Sequence, residues 1–231
     1  MQSNHLPWQI KMFQRSIKKK QKLRALLELL GETTGKKCLL ITCGDNNGAL
    51  NWHFRKHGGE WTWADVSGEN NDQISNLLSE HVYAFKEDKF PVPAEYFDCV
   101  VSIDVLEHLR QDQPFLMELG RVLKHGGIAV VTVPNGDEKL LANKIKWRLG
   151  MTPEVYGHTR AGYTVPELSD ALRKSGLEPK ATGGYSRFMT EMIELAINFG
   201  YVRVLAKRHG GARPGHIAPV SAGELKTHGL A

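Results

Sequence analysis

Asp104, Glu107 and His108 stand at i, i+3 and i+4, the spacing at which a helix would make two carboxylates and an imidazole neighbours on one face. A second constellation lies earlier in the chain. The loop Cys43-Gly44-Asp45-Asn46-Asn47-Gly48 carries two glycines that let backbone approach a ligand closely, and the helix start that follows offers free N–H groups. Asp65 comes 21 residues after Gly44, the interval at which an acidic side chain accepts hydrogen bonds from ribose hydroxyls in nucleotide-binding α/β folds. The plainer readings are a strand-to-helix turn with two glycines and an aspartate that caps the next turn. His53 and His57 share a helix face at i, i+4. With no further carboxylate or thiol beside them they read as solvated rather than as metal ligands. The three cysteines, Cys38, Cys43 and Cys99, form no C-x-x-C pair, which speaks against a zinc site or an oxidised framework and for a reducing cytoplasm.

The elements that must position these residues alternate. Strands are expected at 38–42, 61–64 (closing on Asp65), 82–85, 97–103 and 128–133. Helices are expected at 23–30 with Gly31 as stop, at 50–57, and at 74–78. Another follows Asp112 as cap, with Pro114 in its first turn, an apolar stripe of Phe115, Leu119, Val122 and Leu123, and Gly126-Gly127 as stop. Thr164-Val165-Pro166-Glu167 is a capping box with proline at the first helical position, opening a helix that ends at Gly176. Trp61 and Trp63 alternate on one strand and read as core. Several strands are continuous apolar runs, so the fold class is α/β: a Rossmann-like, mostly parallel sheet with helices on both faces. Ligands of such sheets bind at the carboxyl ends of the strands, which directs attention to Cys43–Gly48, Asp65, Asp88 and Asp104.

The chain has 231 residues, 41% hydrophobic and 24% charged, as in soluble globular domains. No apolar run approaches the roughly 18 residues that span a bilayer, and the polar, basic N-terminus has no signal-like apolar stretch. Residues 1–37 hold nine Lys/Arg against two Glu, so the formal +5 belongs to this arm and not to the rest of the chain. A solvated helix face is the plain explanation; contact with anionic lipid or nucleic acid is the sharper one. Residues 187–208 read as a helix with two apolar sets: Phe188, Met192, Leu195, Phe199, Val202 and Ala206, and Met189, Ile193, Ala196 and Ile197. Glu191 and Glu194 fall early, and Arg203, Lys207 and Arg208 late, matching the helix dipole. Such a helix covers the sheet or a dimer interface, or lies on a membrane surface.

The stretch Phe90 to His108, with Phe97-Asp98-Cys99-Val100-Val101-Ser102-Ile103-Asp104-Val105-Leu106-Glu107-His108 at its centre, resembles the "LPFPDxSFDVVxxxxVLEH" block of class I S-adenosylmethionine-dependent methyltransferases, type 11 group. Leu119 to Gly127 resembles that group's "RVLKPGG", Val133-Pro134-Asn135 its "TPN", and His158-Thr159-Arg160 through Thr164 its "H-x-R-x-x-T" segment. The glycine loop departs from the usual "D-x-G-x-G": Leu40 and Thr42 replace the acid and the first glycine. The resemblance implies a domain over 31–186, flanked by the basic helical arm 1–30 and a C-terminal helix and tail over 187–231.

It further implies S-adenosylmethionine as methyl donor, held by Cys43, Gly44, Asp45, Gly48, Asp65 and Val66, with Asp104 beside the methionine end and Glu87 or Asp88 near the adenine. Direct displacement at a sulfonium methyl asks the protein for position and electrostatics. A hydroxyl nucleophile also needs a base, for which His108 and His158 are the candidates; read alone, each is a structural histidine bonded to backbone. The Asp104, Glu107, His108 spacing is similar to the "E-x-x-E-H" of ubiquinone-pathway and small-RNA O-methyltransferases, where acid and histidine side chains bind a divalent metal. With His158 as a further ligand, the resemblance implies a Mg²⁺, Mn²⁺ or Fe²⁺ site. The acceptor is expected to be a small-molecule or lipid-linked hydroxyl, and nucleic acid is disfavoured. An NAD-dependent oxidoreductase lacks support, since neither Y-x-x-x-K nor G-x-G-x-x-G occurs. An inactive cofactor-binding or interaction protein on the same fold is the remaining alternative, suggested by Leu40 and Thr42.

Overall fold

The computed structural model describes residues 6–43, 47–68, 70–85 and 89–200. Five strands form one fully parallel sheet in the order β3-β2-β1-β4-β5: β1 Lys37–Thr42, β2 Glu60–Asp65, β3 Val82–Ala84, β4 Phe97–Ile103 and β5 Leu123–Thr132. The chain runs outward from β1 through β2 to β3, then returns to β4 on the other side of β1. The crevice between the carboxyl ends of β1 and β4 is therefore the topological switch point at which such sheets take ligands.

Burial on both faces explains the apolar runs in the strands. Every residue of β1 after Lys37 is buried. Alternate side chains serve opposite layers. Cys38, Leu40, Trp63, Cys99, Val101 and Val130 pack under α1 (Trp8–Arg15), α2 (Ile17–Leu30), α3 (Ala49–Lys56) and α4 (Asn71–Leu78). Leu39, Ile41, Ala64 and Val100 pack against α5 (Gln113–Val122) and α7 (Val165–Lys174). Phe115, Leu116, Leu119 and Val122 supply the buried face of α5, each contributing about 1.5–3 kcal/mol by burial. Trp61 and Trp63 stack at 5.5 Å between ring centroids, and Trp63 is buried, so the pair is core as expected. Among the described residues no helix is long and apolar enough to cross a membrane.

Three local expectations are corrected. Gly126 and Gly127 do not stop α5: it ends at Val122, and Leu123 passes directly into β5, which contains both glycines. The register of β4 against β5 is irregular there, pairing Phe97 with Leu123 and then Cys99 with Ile128. A Cβ on Gly127 would stand 2.8 Å from Leu123 Cδ1 and 2.9 Å from the Asp98 carbonyl, so the close approach of β4 demands this glycine. Asp112 occupies the N-cap of α5 but accepts no cap bond from the helix; its carboxylate accepts instead from Arg160 and the Tyr163 hydroxyl. The capping box of α7 is present, with Thr164 Oγ1 accepting from the Glu167 N–H at 3.5 Å, but Pro166 is the second helical residue rather than the first, and the helix ends at Lys174.

The N-terminal arm is not a detached solvated face. α1 and α2 place Ile10, Phe13, Leu26 and Leu30 in the core. Lys11, Arg15, Lys20 and Arg24 face solvent, whereas Lys18 and Lys22 turn inward and form ion pairs. α6 (Leu141–Arg148) and α2 carry the last described helix, α8 (Phe188–Gly200). On α8 Thr190 and Leu195 are buried, while Phe188, Met189, Ile193 and Ile197 are exposed. The expected continuation through Val202, Arg203, Ala206, Lys207 and Arg208 lies outside the described residues.

Candidate functional site

At the carboxyl end of β1, Thr42 is buried and donates its hydroxyl to Asp65 Oδ2 at 2.8 Å, across the pairing of β1 with β2. The other carboxylate oxygen, Asp65 Oδ1, accepts from Ser67 N–H at 3.0 Å, Ser67 Oγ at 2.7 Å and Gly68 N–H at 3.0 Å. Asp65 thus stands where the sequence placed it, buried and locked in orientation, while Oδ2 keeps a lone pair beyond its bond to Thr42. Val66 ties the same corner, its N–H donating to Thr42 O at 2.9 Å. Cys43 is buried beside it. Gly44, Asp45, Glu87 and Asp88 lie outside the described residues. Gly48 is left-handed (φ 88°) at the N-cap of α3, and a Cβ there would meet Leu77 Cδ2 at 3.0 Å; the residue is glycine because α4 crosses it closely.

Asp104, just past β4, adopts φ 50°. Thr132, at the end of β5, fixes it from both sides: the Asp104 N–H donates to Thr132 O at 3.0 Å, and Thr132 Oγ1 donates to Asp104 Oδ1 at 2.8 Å. The Lys22 ammonium donates to Asp104 Oδ2. Burial pushes this carboxyl up, but Lys22, the Thr132 hydroxyl and the more distant Lys18 outweigh it and hold Asp104 below the usual carboxylate range.

The expected helical face of Asp104, Glu107 and His108 does not form. Only Leu106–His108 make a short 3-10 turn, and Asp104 in its left-handed conformation is turned to Lys22 and Thr132. Instead, Glu107, His108 and His158 come together: one ligand atom from each lies within 4.8 Å of the others. The His108 and His158 rings meet edge to face at 4.8 Å, and the His108 Nδ1 position is set by Gly157 O at 3.2 Å. Burial, aided by the neighbouring His108, lowers His158 to about 4 against a raising influence from Asp104, so its imidazole is neutral at pH 7 and able to act as a base or a ligand. Ligands roughly 2.0–2.2 Å from a cation stand at most about 4.4 Å apart, so the three side chains fit a divalent ion with slight tightening. A carboxylate with two imidazoles suits Mn²⁺ or Fe²⁺, and with added water Mg²⁺.

The segment after α6 is built to deliver His158. Thr159 N–H and Oγ1 both donate to the Glu107 carbonyl, at 2.7 and 2.9 Å, pinning His158 beside the 3-10 turn. Arg160 stacks on the Tyr163 ring at 3.8 Å and reaches Asp112 Oδ2 at 3.0 Å. Gly162 (φ 111°) lets the chain press on β5's exit, where a Cβ would lie 2.1 Å from Pro134 O.

His53 and His57 belong to no such cluster, and neither is simply solvated. His53 packs on Phe13 at 4.3 Å, with its pKa depressed by burial and by Lys56; His57 Nε2 pairs with Gly31 O at 3.1 Å. Several residues at the site gave no sequence signal. Lys22 and Lys18 were two charges in a basic run, and only their i, i+4 spacing beside the Leu26/Leu30 stripe hints that they share an inward flank. Glu191 of α8 pairs with Lys18 at 2.8 Å and with Lys146 of α6. Burial raises the Glu191 carboxyl, but Lys18 and Lys146 bring it down to about 2. Half-buried Tyr185, whose hydroxyl burial pushes upward, sits 5.4 Å from Lys22 Nζ.

Known proteins resemble this chain in sequence and in fold. The family model described as "Methyltransferase domain" matches residues 13–181. A ubiquinone biosynthesis O-methyltransferase of Cereibacter sphaeroides is 28% identical over 154 residues, covering 63% of this chain and 61% of the relative. One of Ruegeria pomeroyi is 27% identical over 168 residues, covering 65% and 63%. The chain thus spans under two thirds of the length of these relatives. Among solved structures, the [4+2]-cyclase SpnF superposes with TM-score 0.61 at 19% identity, covering 83% of this chain and 71% of that one. Haemonchus contortus phosphoethanolamine N-methyltransferase 2, in complex with S-adenosyl-L-methionine, gives 0.53 at 18% identity, covering 67% and 36%. These structural likenesses carry the fold alone. With a family model over most of its length and the sheet order, switch-point crevice and strand-end acids described above, the chain belongs to the methyltransferase-domain family.

Proposed function

We propose that the chain is an S-adenosylmethionine-dependent O-methyltransferase acting on a hydroxyl of a small or lipid-linked acceptor. The observation that carries this reading is the Glu107, His108, His158 cluster at the carboxyl edge of the sheet, one short turn past Asp104. The relatives named as O-methyltransferases agree with it.

The donor's sulfonium makes the methyl group transferable, and the chain's residues supply position and charge. Asp65, held by Thr42, Ser67 and Gly68, is oriented to accept from ribose hydroxyls through Oδ2. Asp104, held by Thr132, offers negative charge in the crevice between β1 and β4, where the donor is cationic. Neutral His158, with His108 packed against it, is placed to take the hydroxyl proton. With Glu107 they would equally hold a divalent cation, which lowers a bound hydroxyl's pKa. On α8, exposed Met189, Ile193 and Ile197 at i, i+4 and i+8 support peripheral contact with a membrane that holds a lipid-linked acceptor.

A second reading, a cofactor-binding protein without transfer activity, is favoured by Leu40, which sits in the core at the position where the family pattern has an acid. Incubation with methyl-labelled S-adenosylmethionine and hydroxyl acceptors separates the two. Transfer to oxygen supports the first reading; binding of S-adenosylhomocysteine with no turnover supports the second.

A further inference from the structure

The Lys22 to Asp104 pair is unusual for a lysine of an N-terminal helix. The side chains are 12% and 18% exposed, and the pair lies at the mouth of the crevice between β1 and β4. A cavity of about 50 Å³ remains there, lined from above by Phe13, Lys19 and Lys22 and from below by Thr42, Asn47 and Asp104. Ligand pockets for molecules of cofactor size run to about 300–1,000 Å³, so while Lys22 is seated there the space beside Asp104 is too small for the amino-acid end of a nucleoside sulfonium. Both are cations at one carboxylate. A carboxylate this far from water is costly unless an opposite charge accompanies it, so whichever cation leaves must be replaced by the other.

Resting on the S-adenosylmethionine reading above, we propose that the Lys22 ammonium is a tethered surrogate for the α-ammonium of the donor's methionine end, and that donor binding displaces it from Asp104. The lysine has somewhere to go. Its stem is flexible, and the Tyr185 ring already lies 5.4 Å from Nζ as an alternative seat for the ammonium. Asp104 needs no rearrangement, because Thr132 holds it independently of Lys22. Lys22 therefore sets donor affinity from the outside: its attraction to Asp104 is subtracted from that of the donor.

Calorimetry on the full chain tests this with S-adenosylhomocysteine, which carries the ammonium, and 5′-methylthioadenosine, which lacks it. Lys22→Met is expected to bind S-adenosylhomocysteine about tenfold more tightly than the wild type, a gain typical of one charge-assisted hydrogen bond freed from competition, and methylthioadenosine with unchanged affinity. Lys22→Arg, which keeps the competing charge, is expected to show no gain. Lys22→Gln, neutral but still able to donate to Asp104, should tighten in the same direction and stands in if the Met variant does not fold. Equal or weaker S-adenosylhomocysteine binding by the neutral variants would overturn the proposal. So would an equal gain for methylthioadenosine, which would mean that the helix merely blocks the crevice. A wild-type chain that binds neither ligand would instead refute the cofactor reading on which the proposal stands.

Discussion

Thr42 Oγ1 donates to Asp65 Oδ2 at 2.8 Å, so the residue that breaks the glycine pattern at the end of β1 is the one that orients the acid at the end of β2. Asp65→Ala should weaken S-adenosylhomocysteine binding by about 1.5–3 kcal/mol, the range for hydrogen bonds to a charged acceptor. Thr42→Val, which keeps the shape and removes one donor, should cost about 1 kcal/mol. Titration calorimetry reads both, and unchanged affinity in Asp65→Ala removes that residue from the ribose site.

If Glu107, His108 and His158 hold a divalent cation, methyl transfer should fall at least about tenfold in EDTA and return with Mg²⁺ or Mn²⁺. His108→Ala and His158→Ala should each abolish that response and weaken Mn²⁺ binding seen by electron paramagnetic resonance. Full activity in chelator would leave the two histidines as proton acceptors without a metal.

Glu191 joins α2, α6 and α8 through Lys18 and Lys146. Its pKa in the folded chain, about 2, lies below the ordinary value of about 4.3, so its ionised form stabilises the fold fully above pH 4.3, and this contribution fades as pH falls toward 2. The contribution is on the order of 2–3 kcal/mol. Thermal melts between pH 7 and pH 2.5 should show Glu191→Gln less stable at pH 7 and converging on the wild type in acid. A constant difference across the range would show that the ion pairs carry no pH-dependent stability.

Gly162→Ala should destabilise the chain by more than about 2 kcal/mol, since its Cβ would press on Pro134 O at 2.1 Å in a backbone conformation that alanine resists. Denaturant titration checks this. A neutral outcome would mean that the segment carrying His158 can shift without cost.

On the membrane, flotation with anionic vesicles at low salt should carry the chain upward, and Ile193→Asp with Ile197→Asp should reduce the floating fraction. If the wild type stays at the bottom, the lipid-surface role of α8 is wrong.

The strands were legible because β1 and β4 are apolar runs buried on both faces and the second half of β5 is rich in β-branched residues, and the α7 capping box because its chemistry is local. Helix ends were less so. Gly126-Gly127 looks like a stop, yet it is a strand irregularity imposed by the Asp98 carbonyl of β4, a contact distant in sequence. Asp112 looks like a cap until Arg160 and Tyr163 arrive to claim its carboxylate. At the site, Glu107, His108 and His158 could be named from residue type, but the left-handed turn at Asp104 that removes it from their face could not. Lys22 was hidden for the same reason: its partner is set by tertiary packing of α2 and not by its neighbours in the chain.

The most direct measurement is transfer of a ¹³C-labelled methyl group from S-adenosylmethionine to a panel of phenolic, catecholic and lipid-extract hydroxyls, read by carbon NMR. The expected result is label in a methyl ether, lost in Asp65→Ala and in the His108→Ala, His158→Ala double variant. Label on nitrogen or carbon, or no transfer by a chain that still binds S-adenosylhomocysteine, would contradict O-methyl transfer by this site.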